Sequence, residues 1–217
     1  MVRWGYHPEQ SLLKRMRVLE PHSALIRVTH WVNALSFAAL VVSGVAILLA
    51  HPRLYWGETG TFGTPSLIDL PLPLMLTGQA GWGRSLHFLS AWACVVAGAV
   101  YLASGLRSGH VRRELLSDAG VHAYNRTQRL AYFTVVALLV PIMVWTGLAM
   151  SPAMTSVAPF LATIAGGQQS ARTIHFVVAC ALVLFVAGHV VMVMLSDFRA
   201  RMRGMITGRR AMSAGRA

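Results

Sequence analysis

Four long segments of this 217-residue chain contain no lysine, arginine, aspartate or glutamate. They cover residues 28–52, 85–106, 130–151 and 173–196. A helix of about 20 predominantly apolar residues crosses the hydrocarbon core of a bilayer. Four such spans leave too few residues for a separate soluble domain. The pattern therefore predicts an all-α integral membrane protein built as a four-helix transmembrane bundle.

Basic residues are distributed unevenly between the two sides of this predicted bundle. Both termini and the loop 107–129 share one side, and the loops 53–84 and 152–172 share the other. Sixteen of the 19 lysines and arginines fall on the first side, and the other three are Arg53, Arg84 and Arg172. By the positive-inside rule both termini are cytoplasmic. The net charge of +12 then predicts contact with anionic lipid, and no recognition motif indicates nucleic-acid binding.

The chain divides into three predicted parts. Residues 1–24 form a cytoplasmic segment with amphipathic helical spacing, residues 25–200 form the transmembrane domain, and residues 201–217 form a basic cytoplasmic tail. Pro141 lies inside the third span and should kink it, because proline lacks the N–H that a helix interior needs.

Histidines inside the spans are the candidate functional residues. His175 and His189 lie fourteen residues apart on the fourth span, which puts them about 21 Å apart along a helix and within about 40° of the same face. His30 lies near the inner end of the first span, and His87 near the outer end of the second. Matching by depth pairs His30 with His189 and His87 with His175.

Two histidine pairs at two depths predict two stacked b-type haems with bis-histidine ligation. Intramembrane ionisable residues indicate a functional site by default, and imidazole is a usual nitrogen ligand of iron. The sequence has no C-x-x-C-H motif, which excludes covalent c-type attachment. All four histidines, His30, His87, His175 and His189, are predicted metal ligands.

An arginine precedes three of these histidines by three residues. Arg27, Arg84 and Arg172 each share a helix face with the following histidine and lie toward the nearer membrane surface. Haem propionates would point toward that surface, where arginine pairs well with carboxylates. One glycine also lies in each of the four spans, where the missing side chain would let either a flat macrocycle or a neighbouring helix approach closely. These glycines are Gly44, Gly98, Gly147 and Gly188.

On these residues the chain resembles the bacterial dihaem cytochromes b of the cytochrome b561 group. That group includes the membrane subunits of formate dehydrogenase and nickel-iron hydrogenase. The likeness covers roughly residues 20–200. It rests on the histidine pattern, the R-V-T-H-W sequence around His30 and the Tyr124-Asn125-Arg126-Thr127-Gln128-Arg129 element before the third span.

The resemblance implies electron transfer across a bacterial inner membrane, between a periplasmic redox subunit and the quinone pool. The external loop is similar to that of members associated with molybdopterin oxidoreductases. Asn125 and Gln128 match the element that lies at a quinone pocket in formate dehydrogenase-like members. Asn125 is also a good helix N-cap, and the two roles are compatible. The sequence leaves the oligomeric state open.

Two other functions remain open at this point. Short members of the group act alone as superoxide:quinone oxidoreductases, and Arg53, Arg84 and Arg172 would steer the superoxide anion toward the outer face. A transporter or metal channel would use the histidines differently and would need polar residues along a pore. Few serines, threonines, asparagines or glutamines lie in the spans, which disfavours this third class.

Overall fold

The computed structural model describes residues 23–60, 63–70, 80–107 and 126–208. Within these ranges, four helical segments are long and apolar enough to cross a membrane, as the charge-free segments predicted. The first two spans are α1 (Ala24–Ala50) and α2 (Ala80–Arg107). The third consists of α3 (Arg126–Thr134), a π-helical turn (Val135–Leu139) and α4 (Val140–Ala149), and the fourth is α7 (Gln168–Leu195).

The third span is distorted immediately before its proline. The π-helical turn ends at Leu139, and Pro141 occupies the first turn of α4. Because Pro141 has no N–H and its ring crowds the carbonyl of the preceding turn, the regular α-helical hydrogen-bond pattern cannot continue through it. The predicted irregularity therefore takes the form of a wider turn on the amino-terminal side of the proline.

The loops that the sequence predicts to be external carry the remaining elements. After α1, β1 (Arg53–Leu54) pairs with β2 (Ile68–Asp69) in an antiparallel ladder, which is a small departure from the all-α prediction. Two short helices follow α4, and they are α5 (Pro152–Val157) and α6 (Phe160–Ile164). Ala165 and Ala171 pack with Ala149 into a small buried cluster that joins this loop to the bundle.

Small side chains form the contact between α1 and α2. Thr29, Ser36 and Ser43 are buried at seven-residue spacing on α1, and Ser90 and Ala97 repeat that spacing on α2. A Cβ atom on Gly83 of α2 would lie 3.1 Å from the Cβ of Ala46. Small residues allow helix backbones to approach closely, which is a common way to pack transmembrane helices.

Large apolar side chains cover the outside of the bundle. Leu35, Leu184 and Leu195 are exposed to 70%, 73% and 84% of their surface. Water would disfavour so large an apolar surface, whereas lipid tails would cover it without cost. The exposed pattern therefore agrees with a membrane-embedded bundle.

A final helix, α8 (Phe198–Thr207), turns back against the start of α1. Asp197 caps its first turn by accepting a hydrogen bond from the Ala200 N–H, and Gly208 ends it in the left-handed conformation. The helix crosses the predicted boundary between residues 200 and 201. The amphipathic segment predicted over residues 1–24 lies almost wholly outside the described residues, as does the end of the basic tail.

Candidate functional site

His87 and His175 come together between the two halves of the bundle. Their ring centroids are 6.2 Å apart, with an angle of 57° between the ring planes. His87 lies on the second turn of α2, and His175 lies on the second turn of α7. The structure thus brings together the pair that depth matching predicted at the outer end of the bundle.

A serine hydroxyl fixes the orientation of the His87 ring. Ser43 Oγ lies 3.0 Å from His87 Nδ1. The same hydroxyl donates its proton to the carbonyl of Ala39, one turn earlier on α1, at 2.7 Å. Because a hydroxyl has one proton to donate, the histidine nitrogen must be the donor in the first contact. We therefore assign the proton of His87 to Nδ1, which leaves Nε2 with a free lone pair.

A threonine hydroxyl does the same for His175. Thr146 Oγ1 lies 3.0 Å from His175 Nδ1, and it donates to the carbonyl of Ile142 at 2.7 Å. Thr146 and Ser43 are both fully buried. Both outer histidines are therefore assigned the tautomer that presents Nε2 as the ligating atom.

The separation of the outer pair would allow both rings to hold one metal ion. A metal–nitrogen bond to imidazole is about 2.0 Å long, so two imidazoles that share a metal ion would have ring centres about 6 Å apart. The measured separation is 6.2 Å. Among the described residues, histidine, cysteine, aspartate and glutamate form no cluster of three or more. The donor set therefore fits a haem, which needs two protein ligands, better than a tetrahedral metal site.

Two of the four singled-out glycines lie against these rings. A Cβ atom on Gly44 would be 3.7 Å from His87 Cε1, and one on Gly147 would be 3.5 Å from His175 Cε1. Cβ atoms on Gly98 and Gly188 would meet no described residue within 4 Å. With respect to the part of the chain that the structure describes, these two positions face open space that a flat macrocycle could use.

The inner histidines have different neighbours. Tyr132 Oη lies 3.3 Å from His189 Nδ1. The Tyr132 ring also makes an edge contact with the Phe185 ring, with the ring centroids 5.6 Å apart. The His30 ring makes an edge contact with the Trp31 ring, also at 5.6 Å. The structure places each inner histidine beside an aromatic side chain, and the pairing of His30 with His189 stays a prediction.

Arg27 and Trp31 attach α8 to the start of α1. Arg27 Nη1 donates to the Ile206 carbonyl and Trp31 Nε1 to the Met205 carbonyl, both at 3.1 Å. Arg27 Nε is buried and has no hydrogen-bond partner among the described residues. A buried unpaired donor is costly, and a carboxylate such as a haem propionate would satisfy it.

The two outer arginines converge on His51, the residue after α1. Arg172 Nη2 donates a hydrogen bond to the His51 carbonyl. Desolvation lowers the pKa of the His51 imidazole, and the positive charges of Arg172 and Arg84 lower that pKa further. Both arginines of the outer R-x-x-H sequences therefore lie near one point at the outer surface, where propionates were predicted.

Arg53, the third external arginine, is already paired. Its Nε lies 3.1 Å from Asp69 Oδ2 across the short β-ladder. Arg53, Arg84 and Arg172 are the three positive charges that would attract superoxide, and the Asp69 carboxylate partly neutralises the charge of Arg53. The effect is small because the pair is largely exposed and solvent screens its charges.

The external loop caps the amino terminus of α7 above His175. The Gly57 carbonyl accepts hydrogen bonds from Gln169 N–H at 3.0 Å and Ser170 N–H at 3.3 Å, and the Glu58 carboxylate accepts one from Gln168 N–H at 3.2 Å. The Gly57 N–H donates to Ser170 Oγ at 2.7 Å. A negative group at a helix amino terminus is favourable, and these contacts satisfy N–H groups that have no partner inside the helix. We call residues 55–58 the capping loop.

Thr173 adds another bond to the capping loop. Its Oγ1 donates to the Tyr55 carbonyl at 2.6 Å, and both residues are buried. The segment that carries His175 is therefore held by the loop as well as by its helix.

The predicted quinone residues are described only in part. Asn125 lies outside the described residues, and Gln128 lies in α3 with its side chain outside the description.

Ser43 and Thr146 were not among the predicted site residues. The sequence does contain a feature that could have indicated them. A hydroxyl residue is followed by glycine in two spans, as Ser43-Gly44 in the first and Thr146-Gly147 in the third.

Two comparisons with known proteins find similar sequences. Residues 21–208 match the family model described as prokaryotic cytochrome b561. The chain is 31% identical over 193 residues to the putative protein-methionine-sulfoxide reductase subunit YedZ1 of Azospira oryzae, covering 80% of this chain and 90% of that protein. No solved structure is significantly similar to the chain.

Proposed function

Because this chain belongs to the prokaryotic cytochrome b561 family, a family of haem-binding membrane electron-transfer proteins, we propose that it is a dihaem cytochrome b. It transfers electrons between the quinone pool and a periplasmic redox partner, across a bacterial inner membrane. The observation that carries the proposal is the His87–His175 pair, with ring centroids 6.2 Å apart.

His87 and His175 bind the outer haem through Nε2 in this proposal. The support is the tautomer assigned to each ring, since Ser43 and Thr146 each accept a hydrogen bond from Nδ1. Gly44 and Gly147 allow these rings to sit directly against α1 and α4. When bound, a b haem supplies a one-electron carrier whose potential depends on its ligands and surroundings.

His30 and His189 bind the inner haem. The support is the fourteen-residue spacing on α7, which places His189 about 21 Å below His175 on nearly the same face. The buried, unpaired Nε of Arg27 lies one helical turn from His30 and would bind a propionate of this haem. Arg84 and Arg172 would bind the propionates of the outer haem.

The orientation follows from charge. The excess of basic residues at the end of the bundle that holds His30 and His189 supports a cytoplasmic location for that end and for both termini. The quinone then binds near the inner haem, with Asn125 and Gln128 as hydrogen-bonding residues. The partner meets the opposite face, where the capping loop lies above His175.

The name of the relative suggests the partner's chemistry. We propose that the partner is a protein-methionine-sulfoxide reductase, which would be supplied with electrons by this chain. Reducing a sulfoxide to a thioether consumes two electrons and two protons and releases water. Electrons would then run outward, from a quinol bound near His30 and His189 to the partner at the capping loop above His175.

Reduction by quinol tests this order. The purified full chain is reconstituted in lipid, and its visible spectrum is followed after addition of menadiol or duroquinol. We expect both haems to be reduced without any other protein. His189→Ala should abolish this reduction, because it removes the inner haem, while His175→Ala should leave the inner haem reducible.

Two results would contradict the proposal. One is a haem-containing wild-type protein that neither quinol reduces. The other is a His189→Ala variant reduced as fast as the wild type. If superoxide reduces the haems of the isolated chain and electrons then pass to quinone at a steady rate, the chain acts alone and needs no reductase partner.

A further inference from the structure

The hydroxyls of Ser43 and Thr146 are placed in the same way although they lie on different helices. Each is fully buried, each lies 3.0 Å from an Nδ1 atom, and each donates to the carbonyl four residues earlier at 2.7 Å. The His87 and His175 rings therefore have equivalent acceptors on opposite sides of the outer site. The same contact is thus made twice, once in each half of the bundle.

The bond from each hydroxyl to its helix has a chemical consequence. A hydroxyl that donates its proton becomes a better acceptor, because hydrogen bonds in a chain polarise one another. In a low-dielectric interior this effect is not screened by water. The Nδ1–H group of each outer histidine therefore faces a strengthened acceptor, and the imidazole gains electron density.

We infer that Ser43 and Thr146 are positioning residues that fix the tautomer of the outer ligands and hold down the reduction potential of the outer haem. An imidazole whose second nitrogen donates a strong hydrogen bond is a more basic ligand, and a more basic ligand favours the oxidised iron. This inference rests on the proposed haem site.

The inner histidine His189 has a different hydrogen-bond partner, a phenol that can donate or accept. His189 Nδ1 lies 3.3 Å from the phenolic oxygen of Tyr132, which is longer than either outer contact. A phenol oxygen, whose electrons are shared with the ring, is also a weaker acceptor than an aliphatic hydroxyl. Ser43 and Thr146 thus act on one haem of the two, and a loss of either hydroxyl should change one potential only.

Redox titration of the full-length haem protein tests the inference, with each haem followed in the visible spectrum. Thr146→Val keeps the volume and removes the hydroxyl, and Ser43→Ala removes the other. We expect each variant to raise the midpoint potential of one haem, the same haem in both cases. Thr146→Ser restores a hydroxyl and should return the potential to the wild-type value.

Thr29→Val is the matched control. Thr29 is also buried, and its hydroxyl donates to the Leu25 carbonyl at 2.9 Å, but it lies at the inner end of α1, away from the outer pair. This variant should leave the potential of the outer haem unchanged. A merely structural effect of deleting a buried hydroxyl would appear in Thr29→Val as well.

Several outcomes would overturn the inference. One is that the midpoint potentials of both haems stay unchanged in Thr146→Val and Ser43→Ala. Another is that these two variants shift the potentials of different haems, and a third is that Thr29→Val causes the same shift as they do. If Thr146→Val loses a haem and Thr146→Ser keeps it, the hydroxyl is required and the inference stands; loss in both refutes it. A wild-type protein with two haems and unchanged variant potentials refutes this inference while leaving the proposed function intact.

Discussion

At the scale of single residues, the environment of His51 predicts a dependence of stability on pH. Desolvation and the charges of Arg172 and Arg84 hold its pKa below the usual value of about 6.5. Between that value and the lowered pKa, the unfolded chain binds more protons than the folded one. The free energy of unfolding therefore falls as the pH drops through this window, and this contribution is fully restored above about pH 6.5.

The variant His51→Asn should lose less thermal stability than the wild type between pH 7 and pH 5. The measurement is the unfolding midpoint of each protein across this range. Other histidines titrate in both proteins, so the difference between the two curves isolates His51. Parallel curves would show that the imidazole of His51 is as easily protonated in the folded as in the unfolded state.

The sequence predicted some site residues better than others. Helical spacing and depth were enough to pair His87 with His175, because both depend only on the rise and rotation of a helix. The contacts of Ser43 and Thr146 could not be predicted in this way. A hydroxyl in a transmembrane helix usually bonds to its own backbone, and only the packing of neighbouring helices brings it to an imidazole.

At the scale of elements, the capping loop and the start of α7 predict a sensitive glycine. Gly167 has a φ angle of 112°, and a Cβ atom there would clash with the backbone of Gly57. Gly167→Ala therefore meets two penalties. They are backbone strain of about 1–3 kcal/mol and displacement of the loop that caps α7.

Gly63→Ala is the control for this prediction. Gly63 has a similar φ angle of 100°, but no atom of the described residues lies within 4 Å of its Cβ position. Both variants should lower the unfolding midpoint of the protein in detergent, and Gly167→Ala should lower it more. Equal losses in the two variants would mean that the contact between Gly57 and α7 contributes little to stability.

The sequence predicted the boundaries of those elements that are defined by hydrophobicity. It did not predict the elements that depend on packing between distant parts of the chain. The charge-free segments correspond closely to α1, α2 and α7, because charged residues are excluded from a bilayer core. The β1–β2 ladder and the cap on α7 depend on contacts between distant parts of the chain. The Arg53–Asp69 pairing, sixteen residues apart in an irregular loop, left no periodic signal.

At the scale of the whole molecule, the two halves of the bundle repeat one arrangement. In each half, the outgoing span carries a hydroxyl residue and a glycine near its outer end, Ser43-Gly44 or Thr146-Gly147. The returning span carries an R-x-x-H sequence that ends in His87 or His175. This correspondence produces no periodic repeat in the sequence, since the loops that join the spans differ in length and only a few side chains are shared.

This repeat explains why the outer site forms between the halves rather than within one of them. Each half supplies one imidazole, one hydroxyl and one glycine, and the site is complete only when the halves meet. The sequence predicted the four spans and the proximity of His87 and His175, and the pairing of His30 with His189 stays a prediction. It did not predict that α1 packs along α2 through small residues at seven-residue spacing.

The central claim is that His87 and His175 ligate the same haem, and its most direct test is the haem content of the purified chain. Pyridine haemochrome quantitation should give two b haems per wild-type chain. It should give about one b haem per chain in His87→Ala and in His175→Ala. The control His110→Ala should keep two, because the sequence places His110 outside the spans. A wild-type protein without haem, or outer-pair variants that still hold two haems, would contradict the account.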